Sequence, residues 1–175
     1  AVGHDLERNN MYEIKFDLGQ DIVETAKKSG APRFSTRNIA GYVSYALIDL
    51  PSDIPAHYSR PGYEIKAVPL FAFTLYSDKE QDERLLVETA ALQLDTDALQ
   101  SHQAAKTYVQ NLIKQFHSGK WTRHIDDLCP AVTGRSSYLN EAGNPEQIET
   151  CPLDPEHRIS DEDWIQLMRM TQTYE

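Results

Sequence analysis

Cysteine is scarce in this chain, which has only Cys129 and Cys151 among its 175 residues. Pro130, Gly134 and Gly143 lie between them, with almost no apolar periodicity, and this is typical of an irregular loop. Such a long connection is uncommon unless it is functional or tied down. We therefore predict a disulfide between the two cysteines, worth about 3 kcal/mol in the chain-entropy estimate. A disulfide predicts an extracytoplasmic location, in the periplasm or secreted, and two buried thiols are the alternative.

Positive charge is also in short supply, with 17 Lys and Arg against 27 Asp and Glu and a net charge of −10. Nucleic acid and anionic membranes attract basic surfaces, so neither is an expected partner, whereas a basic protein is. No run approaches the roughly 20 consecutive apolar residues of a membrane-spanning helix. The chain starts at Ala1, and we expect that a signal peptide or membrane anchor was removed before a polar leader, 1–11.

Diagnostic catalytic and metal-binding motifs are missing as well. The zinc motif H-E-x-x-H does not occur, and GRSSY at 134–138 lacks the second glycine of the serine-hydrolase motif G-x-S-x-G. The acids around His157 do not follow the spacing of a calcium loop. The sequence therefore predicts no metal and no cofactor, and it favours a protein that is not an enzyme.

Strand patterns occupy much of the first half of the chain. Period-2 alternation and runs of β-branched and aromatic residues predict strands over 12–18, 39–49, 63–76 and 84–94. Pro69 interrupts the third of these and predicts a bulge or an edge position there. The segment 51–62 contains three prolines and predicts an irregular loop.

Three helices are predicted from capping residues and apolar spacing. The first is short and starts at Asp21. The second is long and amphipathic, begins after a cap at Asp97, and ends before Gly119 as its C′ residue. The third is short, starts at Ser160, and is docked by Trp164.

This order of elements predicts an α+β fold. We expect a mainly antiparallel sheet of about four strands with the long helix packed on one face, a disulfide-stapled C-terminal loop and a short terminal helix. One domain should span 1–175, with the stapled irregular region at 119–159. The strand aromatics are expected in the core, and they line a pocket only if the helix leaves part of the sheet uncovered. These aromatics are Tyr42, Tyr45, Phe71, Phe73 and Tyr76.

The proline-rich segment is the first candidate for recognition, with His57, Tyr58, Arg60 and the adjoining Tyr63 as binding residues. Tyrosine and arginine are enriched at protein interfaces, and prolines reduce the entropy lost when a loop is ordered. The alternative is that Tyr58 and Tyr63 pack over the sheet edge and seal the core.

The segment 114–127 holds the densest set of chemically active side chains. His124 with Asp126 and Asp127, and with help from His117, can form a base oriented by a carboxylate or a pair of metal ligands. We favour another interpretation, in which the cations cluster there because the helix dipole stabilises them at a C-terminus.

Two residues of that segment, Trp121 and Arg123, complete the set of predicted binding residues. The leading hypothesis is a non-enzymatic extracytoplasmic domain that binds a basic protein or a small ligand. It can be the soluble part of a membrane-anchored envelope protein or an inhibitor of immunity type. The alternatives are a small hydrolase or metal-dependent enzyme that uses His124, and an assembly domain that associates with itself.

Overall fold

The computed structural model describes residues 12–124, 133–144 and 154–171. The chain divides into two units, Ala1–Ala98 and Leu99–Glu175. The first contains strands β1 Ile14–Phe16, β2 Ser35–Ile39, β3 Tyr42–Leu47, β4 Ala56–Tyr58, β5 Ile65–Ala67, β6 Leu70–Asp78 and β7 Thr89–Leu94, and helix α1 Ile22–Lys28. The second contains helices α2 His102–Ser118 and α3 Asp161–Thr171. The fold is thus α+β as predicted, and among the described residues no helix is both long enough and apolar enough to cross a membrane.

The strands form two sheets rather than one. A four-stranded sheet has the order β2-β3-β6-β7 and is antiparallel throughout, which confirms the predicted pairing. A three-stranded sheet has the order β1-β4-β5, and its β1–β4 pair is parallel. The prediction of an irregular loop over 51–62 is therefore wrong, because β4 lies inside it and pairs with β1.

The chain passes from the three-stranded sheet to the four-stranded sheet at Pro69. This residue lies between β5 and β6, so the single strand predicted for 63–76 is divided between the two sheets. Proline has no N–H to donate to a ladder, which favours a break at this point. The register between β6 and β7 shifts between Leu70 and Ala72, and this confirms the predicted bulge.

The core of the first unit lies where the inner faces of the two sheets meet. Phe16 of β1 contacts Phe73 of β6 edge to face at 5.0 Å between ring centroids, and it contacts Tyr58 of β4 at 5.5 Å. Phe34 contacts Phe73 from the segment before β2. Because β1, β4 and β5 are short, each buries only the two residues that face this core.

A hairpin that the sequence did not predict joins β2 and β3. Ala40 and Gly41, at its turn, have φ angles of 51° and 88°, the positive values that a two-residue hairpin turn requires. The backbone N–H of Gly41 donates to the side chain of Asn38. The run predicted as one strand over 39–49 therefore contains the turn and only the second strand.

Two of the three predicted helix starts are confirmed. The Asp21 carboxylate accepts from the backbone N–H of Glu24, and the Ser160 hydroxyl accepts from that of Asp163. The cap predicted at Asp97 is wrong, since that residue lies in a 3₁₀ turn, Thr96–Ala98, and Ser101 caps α2 instead. Gly119 ends α2 as its C-cap in an extended conformation, with φ −97°, rather than in the expected left-handed C′ position.

The second unit is joined by contacts between α2 and α3. Lys106 of α2 is buried, and its Nζ donates to Asp161 at 2.7 Å. Arg135 donates to Asp163 at 2.9 Å, and Trp164 is buried, as predicted for the docking residue. That the long helix packs on one face of the sheet stays a prediction, because α2 and the strands belong to different units.

The irregular region predicted for 119–159 is described in part, and there it is organised by Asp154. This buried carboxylate accepts from the backbone N–H of Gly134 at 2.7 Å and of Glu156 at 3.0 Å. The Ser137 hydroxyl accepts from the Asp154 backbone N–H and donates to the Gly134 carbonyl. The Tyr138 hydroxyl donates to the Asp154 carbonyl. No disulfide is found in the part of the chain that the structure describes, but Cys129 and Cys151 both lie outside it, so their bond stays a prediction.

Replacing Asp154 by asparagine should remove a pH-dependent part of the stability. The hydrogen bonds from Gly134 and Glu156, and then the charge of Arg123, hold the pKa of Asp154 below its usual value. A lowered pKa means that the charged carboxylate stabilises the fold at pH values above its unfolded-state pKa, which is about 4. This stabilisation is lost as the pH falls through the folded-state pKa. The difference in free energy of unfolding between wild type and D154N should therefore shrink on acidification.

Urea unfolding of both proteins from about pH 2 to pH 7 measures this difference across the titration range. The exposed substitution Glu141→Gln controls for the loss of one surface carboxylate from the same unit. A difference between wild type and D154N that is constant with pH would contradict the role of the charged form.

Candidate functional site

The residues predicted for the recognition loop do not lie together in a loop. His57 and Tyr58 are consecutive in β4 and therefore lie on opposite faces of the three-stranded sheet. Tyr58 is buried against Phe16, and this burial, followed by the charge of Asp17, raises the pKa of its hydroxyl. The alternative interpretation, in which Tyr58 seals the core, agrees with this placement.

His57 lies on the outer face of the same sheet, beside an acidic side chain. Its Nδ1 is 2.8 Å from Oε1 of Glu13, and Nζ of Lys66 is 3.2 Å from the same oxygen. The strand register places His57 between Lys15 and Lys66. Glu13 therefore fixes the orientation of the imidazole, which lies between two lysines on this face.

Arg60 is used to hold the chain that follows β1. Its guanidinium donates to the carbonyl of Leu18 at 2.7 Å, and its Nε is 3.0 Å from Oδ1 of Asp17. The guanidinium also lies over the ring of Tyr58, and the Tyr63 backbone N–H donates to the Arg60 carbonyl. Arg60 borders a shallow depression that Leu86 and other residues line, but the four predicted binding residues do not converge in it.

The predicted site in the second unit follows the end of α2. Trp121 packs edge to face on Phe116 at 5.4 Å between ring centroids, and Arg123 lies 3.6 Å from Asp154. Nε2 of His117 is 2.9 Å from Glu156. The segment 154–160 thus contacts the end of α2 through the His117 imidazole and the residues after α2 through the Arg123 ion pair, a link that was not predicted.

The structure describes only part of the residues named in the enzyme alternative. His124 is exposed, while Asp126 and Asp127 lie outside the described residues. Among residues 12–124, 133–144 and 154–171, no three His, Cys, Asp or Glu side chains are grouped as metal ligands.

Among the described residues of the first unit, the three most exposed of the large apolar side chains lie on one face of the four-stranded sheet. Ile39 is 68% exposed, Tyr42 49% and Ile48 63%. Tyr42 stacks on Tyr76 at 5.5 Å between ring centroids, and the two planes are 29° apart. We define this surface, composed of Ile39, Tyr42, Ile48 and Tyr76, as the open face.

Strand alternation explains why these side chains point away from the core. Val43 and Leu47 of β3 are buried, so Tyr42 points to the opposite side, and Ile48 continues the alternation directly after the strand. The centre of the open face is formed by small side chains on three neighbouring strands. These are Ser44, Ala46, Thr74 and Ala91.

Acidic residues lie at both ends of the open face. Asp78 pairs with Tyr42 in the strand register, and the exposed Glu88 donates its backbone N–H to the carbonyl of Tyr76. Asp49 follows Ile48 at the other end. Two bases are present as well: Arg37 of the edge strand β2 pairs with Ser44 on this face, and Lys79 lies beside Gly41 of the β2–β3 turn. The surface therefore combines exposed apolar groups with a charged border in which acids outnumber bases, and this suits a partner that is apolar and basic.

The sequence did not predict this surface, because β3 is apolar on both of its faces and such strands are usually buried on both sides. The only signal available was the small size of Ser44 and Ala46 between two exposed apolar residues. No protein family, curated protein or solved structure matches this chain.

Proposed function

We propose that this chain is a non-enzymatic, extracytoplasmic binding domain, and that it uses the open face to bind a basic protein. The observation that carries the proposal is the exposure, by about half or more, of Ile39, Tyr42 and Ile48 on one face of one sheet. Apolar side chains that are exposed together on one surface, unlike those scattered singly, indicate an interaction site.

The shape of the surface favours a protein over a small ligand. Small-molecule sites are concave and bury most of the ligand. The open face is an exposed sheet surface with small side chains at its centre, and a protein partner can place large side chains there. Tyr42 and Tyr76 offer the kind of aromatic contact that is enriched among the residues contributing most to protein binding.

The charge of the chain favours a basic partner. A net charge of −10 accelerates the encounter with a cationic protein and orients it, and added salt weakens this effect. The extracytoplasmic location rests on the predicted bond between Cys129 and Cys151. Attachment through a membrane anchor is part of the same proposal.

The substitution Tyr42→Ser tests the binding surface. Wild type and Y42S, immobilised in parallel, are exposed to an envelope or secreted fraction, and any protein retained more strongly by wild type is purified. The expected partner is rich in Lys and Arg, binds Y42S at least about tenfold more weakly than wild type, and binds wild type more weakly in high salt.

Urea unfolding of Y42S provides the control, since loss of a half-exposed side chain and of its stacking on Tyr76 should leave stability within about 1 kcal/mol of wild type. A larger loss of stability would mean that another part of this chain covers the open face. A purified partner that binds both proteins equally, the absence of any protein selectively retained by wild type, or binding unaffected by salt would each overturn the proposal.

A further inference from the structure

The strand β7 forms one edge of the four-stranded sheet. It pairs with β6 on one side, and no strand of the described residues pairs with it on the other. Its residues alternate between exposed and half-buried along the whole strand. As far as the described residues extend, the outer edge of β7 is therefore available to another strand.

The sequence of this strand lacks the usual protection of a sheet edge. Natural edge strands carry charges, prolines or bulges, or they are covered, because unpaired backbone groups recruit other strands. The six residues of β7, TAALQL, include no charged residue and no proline, and the bulge beside it lies in β6. The opposite edge strand, β2, differs in carrying Arg37 at its centre.

Charges at the two ends of β7 indicate what can pair with it. Glu88 precedes the strand and Asp95 follows it. If two copies of this chain paired antiparallel with Thr89 opposite Leu94, Glu88 of each copy would face Asp95 of the other. Like charges directly opposite each other destabilise a strand pair. A second copy paired along the full length of β7 is thus disfavoured, and a strand with a cation at each end is favoured.

We infer that the outer edge of β7 receives an extended segment of the basic partner, which adds a strand to the sheet. This inference rests on the proposed function and deepens it. Main-chain hydrogen bonds to β7 supply affinity, and Lys or Arg at the ends of the segment meets Glu88 and Asp95. The exposed side chains of β7 that face the open face are uncharged, namely Thr89, Ala91 and Gln93, so the added strand can extend that face.

A synthetic peptide of alternating threonine and valine with a lysine at each end tests this pairing directly. We expect its addition to shift the backbone amide signals of Thr89–Leu94 and to slow their hydrogen exchange. A second peptide with glutamate at each end should bind more weakly, and a third with prolines at its centre should not bind, because proline cannot complete the ladder.

Matched charge variants of the protein separate electrostatic from main-chain contributions. The double substitution of Glu88→Gln and Asp95→Asn should weaken binding of the lysine-ended peptide by about threefold to tenfold, and it should leave the glutamate-ended peptide bound no more weakly than before. Asparagine at 95 retains the side-chain oxygen that accepts from the Asp97 and Ala98 backbone N–H groups, so the turn after β7 is preserved.

Several results would overturn the inference: no change in the β7 signals, equal binding of the proline peptide, or unchanged affinity in the double variant. Self-association of the protein, measured by sedimentation at several concentrations, would also overturn it if the double variant associated more strongly than wild type, because a second copy would then occupy the edge. A natural partner that depends on Tyr42 but leaves the β7 signals unchanged would refute only this inference. Peptide addition at β7 without any Tyr42-dependent partner would refute the proposed function instead.

Discussion

Replacing Phe73 by alanine is expected to lower the free energy of unfolding by about 3–5 kcal/mol, the range observed for large aromatic residues in protein cores. Phe73 is 0% exposed. Its ring lies 5.0 Å from that of Phe16 on the other sheet and 6.5 Å from that of Phe34. Removing it leaves a cavity where the two sheets meet, and the backbone of β6, paired on both sides, leaves little room for collapse.

The matched control is two residues away. Phe71 lies in the same strand but is 39% exposed, so F71A should cost much less than F73A. Urea unfolding followed by circular dichroism compares both variants with wild type. Equal losses for F71A and F73A would show that the two sheets do not pack on Phe73 as described.

Replacing Trp164 by alanine is expected to have a similar effect on the second unit, about 3–5 kcal/mol. Trp164 is the buried residue by which α3 docks, and the next turn of the helix has no other fully buried side chain among those described. Its indole N–H is buried without a hydrogen-bond partner in the described part of the chain. The indole therefore stabilises through packing rather than through a polar contact.

Two substitutions test this explanation by hydrogen exchange of the α3 amides and by thermal unfolding. Trp164→Phe keeps most of the ring volume and removes the unpartnered N–H, so it should be much milder than W164A. Trp121→Ala removes the exposed tryptophan and should spare α3. If W164F were as damaging as W164A, the N–H would have to be satisfied after all.

The elements that sequence reasoning predicted correctly are those whose causes are local. Asp21 and Ser160 each have a partner N–H three residues ahead, so a cap can be recognised without knowledge of the rest of the chain. The strand predicted over 84–94 is confirmed only for its second half, Thr89–Leu94, and the helix cap at Asp97 that favoured it was itself wrong. The cap of α2, Ser101, lies four residues after the predicted Asp97 and was not predicted.

The elements that it missed depend on distant parts of the chain. β4 is three residues long and is flanked by prolines, and it is a strand because β1 and β5 lie on either side of it. The division of one apolar run at Pro69 follows from the same second sheet. The parallel partner of this segment, β1, lies far away in the sequence, so no window around 56–58 contains it.

The candidate site shows the same difference between local and distant causes. The predicted residues His57, Arg60, Trp121 and Arg123 were chosen by chemical type, and the structure shows each of them next to an acid, an aromatic ring or a backbone carbonyl. The open face was not predicted, since its members are apolar strand residues that resemble core. Only the sheet order and the side on which the second sheet packs separate Tyr42 from Phe73.

By itself, the sequence determined the acidic character of this protein, its α+β class, the starts of two helices and the alternation within its strands. These properties follow from composition and from interactions between residues a few positions apart. The tertiary structure alone decided that there are two sheets, which apolar side chains are exposed, and which strand is left at the edge. Those properties depend on pairing between distant segments, and residues of the same type become core or surface according to which face of the sheet is covered.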